Sequence, residues 1–286
     1  MQLRTSTINF ITICAKVGVE VNMKLICVVK FVPDVDNFRY DFENNKLIRE
    51  DMRLILNPDD ACAVAFALKV KEKLAGTVVE VVTMAPKKIV PHMEDLLRLG
   101  VDKGVILSDK AFAGSDTYVT SKVLSRYLLG QHYDCIITGT HAVDGDTAHV
   151  PAQLGEWLGL NQMSGITKID MEKFNKDFAT VDVDNDQTSV TYEVSLPAVL
   201  SLTREIGYKL PYVRKGEINR DVKSSIYILG GEDLGLQEDQ TGLKGSLTQV
   251  VETYAKQYEK RERTLVKADN AGVETVFHYL QEKGFV

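Results

Sequence analysis

The chain has 286 residues, of which 44% are hydrophobic and 26% are charged, a balance typical of folded globular proteins. This composition excludes a disordered chain and a collagen-like repeat. Acidic residues number 40 against 34 Lys and Arg residues, and the resulting formal net charge of −6 argues against nucleic acid as a partner.

Cysteine spacing and hydropathy indicate the cellular setting of the protein. No two of the four cysteines have the Cys-x-x-Cys spacing of zinc sites, so neither zinc nor a disulfide framework is predicted. No stretch reaches the roughly 18 consecutive apolar residues that a transmembrane helix needs. We therefore expect a reduced, cytoplasmic protein without a membrane span.

Residues 1–22 are predicted to be an N-terminal extension of the folded part. An apolar run at residues 8–14 has the polarity of a signal peptide, but no small-residue cleavage site follows it. The first strand pattern begins only after Met23. We expect residues 23–230 to form one α/β domain, and residues 231–286 to form an arm and a docking helix that contact a partner subunit.

The first elements along the chain are a buried strand, a hairpin and a helix. The apolar run at residues 25–32 is typical of a central parallel strand that is covered on both faces. Residues 38–48 are predicted to form a short hairpin. A helix then begins at Asn57-Pro58, where Asn57 is the expected cap and Pro58 fits the first helical position.

Strands and single helices continue to alternate up to about residue 140. The predicted strands are residues 77–84, 104–107 and 135–138, and the predicted helices are residues 91–99 and 116–129. Strands joined through single helices need right-handed crossovers, and they form a doubly wound, mostly parallel sheet. This pattern predicts an α/β, Rossmann-like fold.

After about residue 165 the pattern becomes antiparallel. Residues 178–183 and 189–194 alternate around a polar turn and predict a hairpin, and residues 198–203 predict one more strand. Between residues 230 and 270 glycines and charges dominate, as in an arm without its own core that lies on a partner. A final amphipathic helix is predicted at residues 271–283.

The segment from Thr138 to Pro151 is the most informative part of the sequence. It leaves the carboxyl end of a predicted strand and enters a helix, and open α/β sheets bind ligands outside those strand ends. Gly139 and Gly145 allow the backbone to approach a ligand closely, and the helix N-terminus at Thr147 favours a phosphate. Neither a G-x-G-x-x-G fingerprint nor a P-loop occurs here.

The residue types of the same segment also permit two other functions. His141, Asp144, Asp146 and His149 are residue types that bind metal ions, and a His–Asp pair can also serve acid–base hydrolysis. Against both, Asp146 is a natural helix cap, Asp144 is a turn residue, and no nucleophile motif lies beside them. We expect no metal ligand and no catalytic side chain.

From about Met23 to its end, the chain resembles the β (small) subunit of electron transfer flavoproteins. The matching motifs occur in family order at residues 27–34, 57–58, 83–86, 142–148 and 196–199. The Asp-Gly-Asp-Thr-Ala sequence at 144–148 resembles the electron-bifurcating, NADH-dependent type more than the mitochondrial type, whose β subunit holds AMP. The family usually has Gln where this chain has His141 and His149, and it often has a basic residue where this chain has Thr140 and Val183.

This resemblance implies an electron-transfer function. The pocket would hold FAD, which accepts hydride from NADH and passes electrons to an α-subunit FAD and to ferredoxin or flavodoxin. An acyl-CoA or 2-hydroxy acid dehydrogenase would be the further partner. Because the cofactor carries the chemistry, the resemblance leaves open whether the chain is itself an enzyme. The alternatives are a β subunit with structural AMP and a stand-alone adenine-nucleotide hydrolase or sensor.

The resemblance also implies which residues contact the nucleotide and the partner. The nucleotide-binding residues would be Val28, Asn57, Met84, Gly139, Thr140, His141, Ala142, Asp144, Gly145, Asp146, Thr147, Ala148, His149 and Val150. The loop after residue 203 resembles the recognition loop that inserts a leucine into the partner dehydrogenase. Leu210 is the matching residue, with Pro211 and Tyr212 beside it.

Overall fold

The computed structural model describes residues 23–34, 39–41, 46–48, 53–185, 187–249 and 264–286. The chain divides into two compact units, residues 1–249 and residues 250–286. The predicted N-terminal extension, residues 1–22, lies outside the described residues.

The described part of the first unit contains thirteen strands and five α-helices. The strands are β1 (Lys24–Val28), β2 (Phe31–Pro33), β3 (Arg39–Asp41), β4 (Lys46–Ile48), β5 (Leu54–Leu56), β6 (Val78–Met84), β7 (Lys103–Leu107), β8 (Cys135–Gly139), β9 (Asn161–Ile169), β10 (Phe178–Asn185), β11 (Thr188–Ser195), β12 (Ala198–Leu202) and β13 (Ile226–Leu229). The helices are α1 (Pro58–Lys73), α2 (Val90–Arg98), α3 (Thr117–Leu128), α4 (His149–Leu158) and α5 (Gly242–Gly245).

Nine strands form one sheet in the order β11-β10-β9-β12-β8-β1-β6-β7-β13. Neighbours from β9 to β13 along this order are parallel, whereas β10 pairs antiparallel with both β9 and β11. From β1 the chain proceeds to β6 and β7 on one side, and it then places β8 on the other side of β1. This confirms the predicted α/β fold, and it creates a topological switch point between β1 and β8.

Helices cover both faces of the central parallel strands, which explains the mostly apolar sequences of β1 and β8. Leu25 and Cys27 of β1 belong to the core on the α1 and α2 side, and Ile26 and Val28 belong to the core on the α3 side. Successive side chains of a strand point to opposite faces, so both sets must be apolar. Asp116 caps α3, because its side chain accepts a hydrogen bond from the Val119 N–H at 3.0 Å.

In the early part of the chain, one predicted element is wrong and one is confirmed. The single strand predicted at residues 25–32 is in fact β1 followed by β2, and β2 pairs with β5 in a separate two-stranded sheet. The hairpin predicted at residues 38–48 is confirmed by the antiparallel pairing of β3 with β4.

The end of the first unit differs from the predicted boundary at residue 230. Strand β13 extends the sheet, and Leu236 beyond it is buried in the core on the α3 side. The Gly231 N–H also donates to the Asp109 carboxylate at 2.9 Å, which fixes this region to the end of β7. Residues 231–249 therefore pack on the first unit, and the predicted contact of residues 231–286 with a partner subunit stays a prediction.

The described part of the second unit is built around one helix, α6 (Asn270–Glu282), where the sequence predicts a helix at residues 271–283. Asp269 caps it by accepting a hydrogen bond from the Gly272 N–H at 2.9 Å. Residues 250–263 of the predicted arm lie outside the described residues. No helix of the described chain is both long and apolar enough to cross a bilayer.

Candidate functional site

The predicted ligand segment lies at the switch point of the sheet. Residues 139–148, called the site loop below, leave the carboxyl end of β8 and lead into α4. Strand β8 pairs in parallel with β1, so the site loop faces the end of β1 and the start of α1. The edge where open α/β sheets form their crevice is thus the edge that carries this loop.

Asn57 holds the site loop in place rather than capping α1. It occupies the cap position but makes no side-chain cap hydrogen bond. Its amide nitrogen donates instead to the His141 carbonyl at 2.9 Å, and its amide oxygen accepts from the Val143 N–H at 3.1 Å. The prediction that Asn57 caps the helix is therefore wrong in its hydrogen bonding, because the loop uses both of its polar atoms.

Asp60, in the first turn of α1, connects the ends of β1 and β8. Its carboxylate accepts hydrogen bonds from the Lys30 N–H and the Gly139 N–H, each at 2.8 Å. Burial raises the pKa of Asp60 from 3.8 to about 7, and hydrogen bonds from Lys30, Gly139 and Asn57 oppose that rise. Asp60 is thus a buried acid that fixes the base of the site.

Gly139 is required by this close packing. A Cβ atom at this position would lie 2.3 Å from Asp60 Oδ1 and 2.7 Å from Asp59 Cβ. Gly145, further along the loop, would place a Cβ with nothing within 4 Å. The first glycine therefore serves packing inside the protein, whereas the second lies where the loop is open to its surroundings.

The site loop enters α4 through two left-handed residues. The N–H groups of Gly145 and Asp146 both donate to the Ala142 carbonyl, at 3.2 and 2.7 Å, and φ is +49° at Asp146 and +53° at Ala148. Helix α4 begins at His149, with Ala148 at the cap position. The predictions that Asp146 caps the helix and that its N-terminus lies at Thr147 are therefore wrong. Non-glycine residues at positive φ are uncommon and concentrate at binding sites.

Lys30 and Asp144 form an ion pair beside the loop, with Lys30 Nζ 2.8 Å from Asp144 Oδ1. Both side chains are partly exposed, so the pair adds little to stability. It does offset the negative charge that Asp144 would otherwise present to an anionic ligand.

His141 lies between two carboxylates, and one of them is buried. Its Nδ1 is 3.7 Å from Asp59 Oδ2, and its Nε2 is 3.5 Å from Asp146 Oδ1. Asp59 is 1% exposed, and its other oxygen, Oδ1, lies 3.3 Å from Arg204 Nε. No group of three or more His, Cys, Asp or Glu residues in the described chain is arranged to hold a metal ion.

The sequence comparisons decide the family. A family model described as "Electron transfer flavoprotein domain" matches residues 45–219, which is more than half of the chain. The chain belongs to the electron transfer flavoprotein family. Its match to curated relatives confirms the resemblance to β subunits.

Three relatives illustrate the match. "Electron transfer flavoprotein subunit beta" of Thermoanaerobacterium thermosaccharolyticum is 35% identical over 81% of this chain and 87% of its own length. "Caffeyl-CoA reductase-Etf complex subunit CarD" of Acetobacterium woodii is 33% identical over 82% of this chain and 88% of its own. "Acryloyl-CoA reductase electron transfer subunit gamma" of Anaerotignum propionicum is 30% identical over 91% of this chain and 99% of its own.

In this electron transfer flavoprotein chain, the residues proposed to bind the nucleotide range from buried to exposed. Val28, the last residue of β1, is buried, and Met84, the last residue of β6, is partly buried. The other buried members are Asn57 and Gly139. Thr140, His141, Ala142 and Val150 are partly buried, and Asp144, Gly145, Asp146, Thr147, Ala148 and His149 are exposed. The structure thus brings these residues to one edge of the sheet.

A cavity of about 680 Å³ lies beside this group at the ends of β6 and β7. Met84, Ser108 and Phe112 are among the residues that line it. This places open space next to Met84, on the side that the resemblance assigns to the adenine and ribose.

Residues 204–215, called the partner segment below, contain the predicted dehydrogenase contact. Leu210 is partly buried and packs against the core of the first unit, whereas Pro211 is exposed and Tyr212 is 96% exposed. The sequence therefore placed the contact on a residue that also serves the protein's own core.

Four further residues of the site are not predicted from the sequence. They are Lys30, Asp59, Asp60 and Arg204, and each follows the carboxyl end of a strand or begins α1. The available signal was their position, because residues that follow parallel strands meet at one edge of the sheet.

Proposed function

We propose that the protein is the small subunit of a heterodimeric electron transfer flavoprotein, and that its site loop binds an FAD that serves NADH-dependent electron bifurcation. The observation that carries the proposal is the position of the loop. It is built of small residues, lies at the switch point beside β1, and leads directly into the N-terminus of α4, where anionic phosphates are favoured.

The residues present fit a dinucleotide with a diphosphate. The loop is exposed from Asp144 to His149, and a Cβ on Gly145 would still meet nothing within 4 Å, so a ligand can approach the backbone. Ala148 has a left-handed backbone and is followed directly by the helical residue His149, and anion-binding nests use the same combination of left-handed and right-handed residues. Lys30 offsets the charge of Asp144, which would otherwise repel phosphates.

The chain's own residues would bind and orient the nucleotide. Val28 and Met84 would contact the adenine and ribose, and the site loop with Val150 would surround the phosphates and sugar. Asn57 would act by holding the loop, because its amide oxygen and nitrogen both bind loop backbone.

When bound, FAD would supply hydride acceptance from NADH and delivery of the two electrons by separate routes. One route would serve a dehydrogenase of the acyl-CoA or 2-hydroxy acid type by way of the α subunit and its FAD, and the other would serve ferredoxin or flavodoxin. The reductase complexes named for two relatives support a dehydrogenase partner. This chain's role is then to position the cofactor and tune its surroundings.

Nucleotide analysis of the complex purified with its α subunit tests the proposal. Release of the bound nucleotides by denaturation, followed by chromatography and an absorption spectrum, should give two FAD per heterodimer. One FAD with one AMP would contradict the FAD assignment and support a structural nucleotide. Absence of both, with ATP hydrolysis by the isolated chain, would contradict the whole proposal and favour a hydrolase or sensor.

A second experiment places the nucleotide on the loop. Ala148→Trp puts a large side chain at an exposed, left-handed position beside the N-terminus of α4 and should reduce nucleotide content below one half. Ala75→Trp, exposed just after the far end of α1, is the matched control and should retain full content. Full retention by Ala148→Trp would place the nucleotide elsewhere.

A further inference from the structure

We propose that Asp59 is a positioning residue that joins the site loop to the partner segment, so that nucleotide binding orders the partner segment. The inference rests on the proposed function, because it requires the site loop to bind a nucleotide. It assigns Arg204 a role at the nucleotide site, although this residue lies outside the loop.

Asp59 is a buried carboxylate with an unusual set of partners. Burial removes its hydration, and that loss must be offset by cations or N–H groups. The His141 N–H donates to Asp59 Oδ2 at 3.5 Å, whereas Asp59 Oδ1 has no hydrogen-bond partner among the described residues. Arg204 Nε, 3.3 Å from that oxygen, therefore compensates the carboxylate through charge.

The two oxygens of Asp59 face two different segments. Oδ2 faces the imidazole of His141 in the site loop, and Oδ1 faces Arg204, the first residue of the partner segment. The backbone of the site loop also reaches the strand that leads into the partner segment, because the Thr140 N–H donates to the carbonyl of Leu202, the last residue of β12, at 2.9 Å. One buried charge thus links two surfaces that sequence motifs assign to different ligands.

The direction of the coupling follows from competition for His141. The imidazole is shared between Asp59 and Asp146, and a phosphate bound at the loop adds a third negative group close to it. A phosphate that draws the imidazole away leaves Asp59 more dependent on Arg204. The Arg204–Asp59 contact then tightens at the base of the partner segment, where Arg204 begins a single helical turn (Arg204–Ile206). By linkage, a partner that orders the segment raises nucleotide affinity by the same factor.

Hydrogen–deuterium exchange on the purified heterodimer tests this coupling with AMP as the probe. After removal of the nucleotide held by this chain, saturating AMP should slow amide exchange in residues 205–210 about threefold or more. Arg204→Gln should abolish this response and weaken AMP binding about fivefold. Arg204→Lys, which keeps the charge, should retain part of both effects.

Arg214→Gln is the matched control, because it removes the same charge from the same exposed segment. It should leave AMP affinity and the exchange response as in the wild type. AMP binding by Arg204→Gln that equals the control, with the same slowing of exchange, would overturn the inference while leaving the proposed function intact. A wild-type heterodimer that binds neither AMP nor FAD at this site would overturn both.

Discussion

The Val143 N–H donates a 3.1 Å hydrogen bond to the amide oxygen of Asn57, although the two residues are 86 positions apart in the chain. Helix α1, which Asn57 precedes, therefore has no side-chain cap, because the Asn57 amide bonds to the loop after β8 instead. Asn57 is 1% exposed, so its polar atoms have little access to water when a partner is removed. The start of α1 and the site loop are therefore a single hydrogen-bonded unit.

Replacement of Asn57 by Ala should destabilise the protein by about 2–3 kcal/mol, because it leaves the His141 carbonyl and the Val143 N–H without their partner. It should also weaken nucleotide binding, since the loop loses its attachment. Urea unfolding and nucleotide titration check both effects. Asn161→Ala, which removes one exposed 3.4 Å hydrogen bond to Ser195, should change stability by less than about 0.5 kcal/mol. Similar losses in the two variants would contradict the assigned role of Asn57.

Much of the parallel sheet could be predicted from sequence because its strands are buried on both faces. The runs in β1, β6 and β8 are mostly apolar, with Glu80 and Thr83 as the polar members of β6, and Gly or Asp residues mark the ends of the helices between them. Strand β13 is not predicted from the sequence. It is the last strand at one side of the sheet, and its two central residues, Tyr227 and Ile228, are exposed. Its sequence, Ile-Tyr-Ile-Leu, is apolar, but four residues are the shortest run that indicates a strand.

The location of the candidate site could also be predicted, but its hydrogen bonds and ion pairs could not. The small-residue loop after β8 is visible in the sequence, and the ligand crevices of open α/β sheets lie at the carboxyl ends of the strands. The contacts of Asn57, Asp59 and Arg204 depend on which strand ends meet in space, and sequence alone treats them as a cap, a helix-terminus charge and a surface charge. Tertiary pairing overrides these local roles, as it does for the start of α4 at His149.

Gly139→Ala should be among the most damaging small substitutions in the site. The added Cβ would meet Asp60 Oδ1 at 2.3 Å and the Asp60 backbone nitrogen at 2.7 Å, neither of which is a flexible chain end. We expect a loss of about 3 kcal/mol in the free energy of unfolding, together with a lower nucleotide content. Gly145→Ala meets no atom within 4 Å and should cost less than about 0.5 kcal/mol. Thermal unfolding of the two variants side by side makes the comparison, and equal shifts would contradict the steric argument.

Asp60 should make stability fall with rising pH between about 4 and 7. Burial raises its pKa in the folded protein from 3.8 to about 7, so the folded state binds a proton in this range that the unfolded state does not. The stability from this proton is fully present below pH 3.8 and is lost as pH rises through about 7. The slope from this group alone is at most about 1.4 kcal/mol per pH unit.

Urea unfolding of the wild type and Asp60→Asn at several pH values isolates the effect of Asp60. The variant is expected to be less stable at every pH. Both carboxylate oxygens of Asp60 accept hydrogen bonds from backbone N–H groups, and the amide nitrogen of Asn cannot accept one. The informative quantity is the difference in slope between the two proteins, since the other titrating groups are common to both. Parallel pH profiles would show that Asp60 does not bind the extra proton.

Tyr212 should contribute to dehydrogenase binding without contributing to stability. Its side chain is 96% exposed, whereas Leu210 is partly buried and packs against the core. Because one apolar side chain that enters a partner's pocket contributes roughly 1.5–3 kcal/mol, loss of either residue should weaken the contact about tenfold or more. Only Leu210→Ala should also lower the free energy of unfolding, by about 1–2 kcal/mol, because it alone removes packing within the chain.

The measurement is electron transfer from the purified complex to the dehydrogenase that copurifies with it, at limiting complex concentration, together with urea unfolding of each variant. Tyr212→Ala should raise the apparent KM for the complex and leave the unfolding curve unchanged. Arg214→Gln, two residues further on, should act mainly on the association rate and lose its effect at high salt. If Tyr212→Ala transfers electrons as the wild type does while Leu210→Ala fails only through instability, the partner segment does not contact the dehydrogenase through these residues.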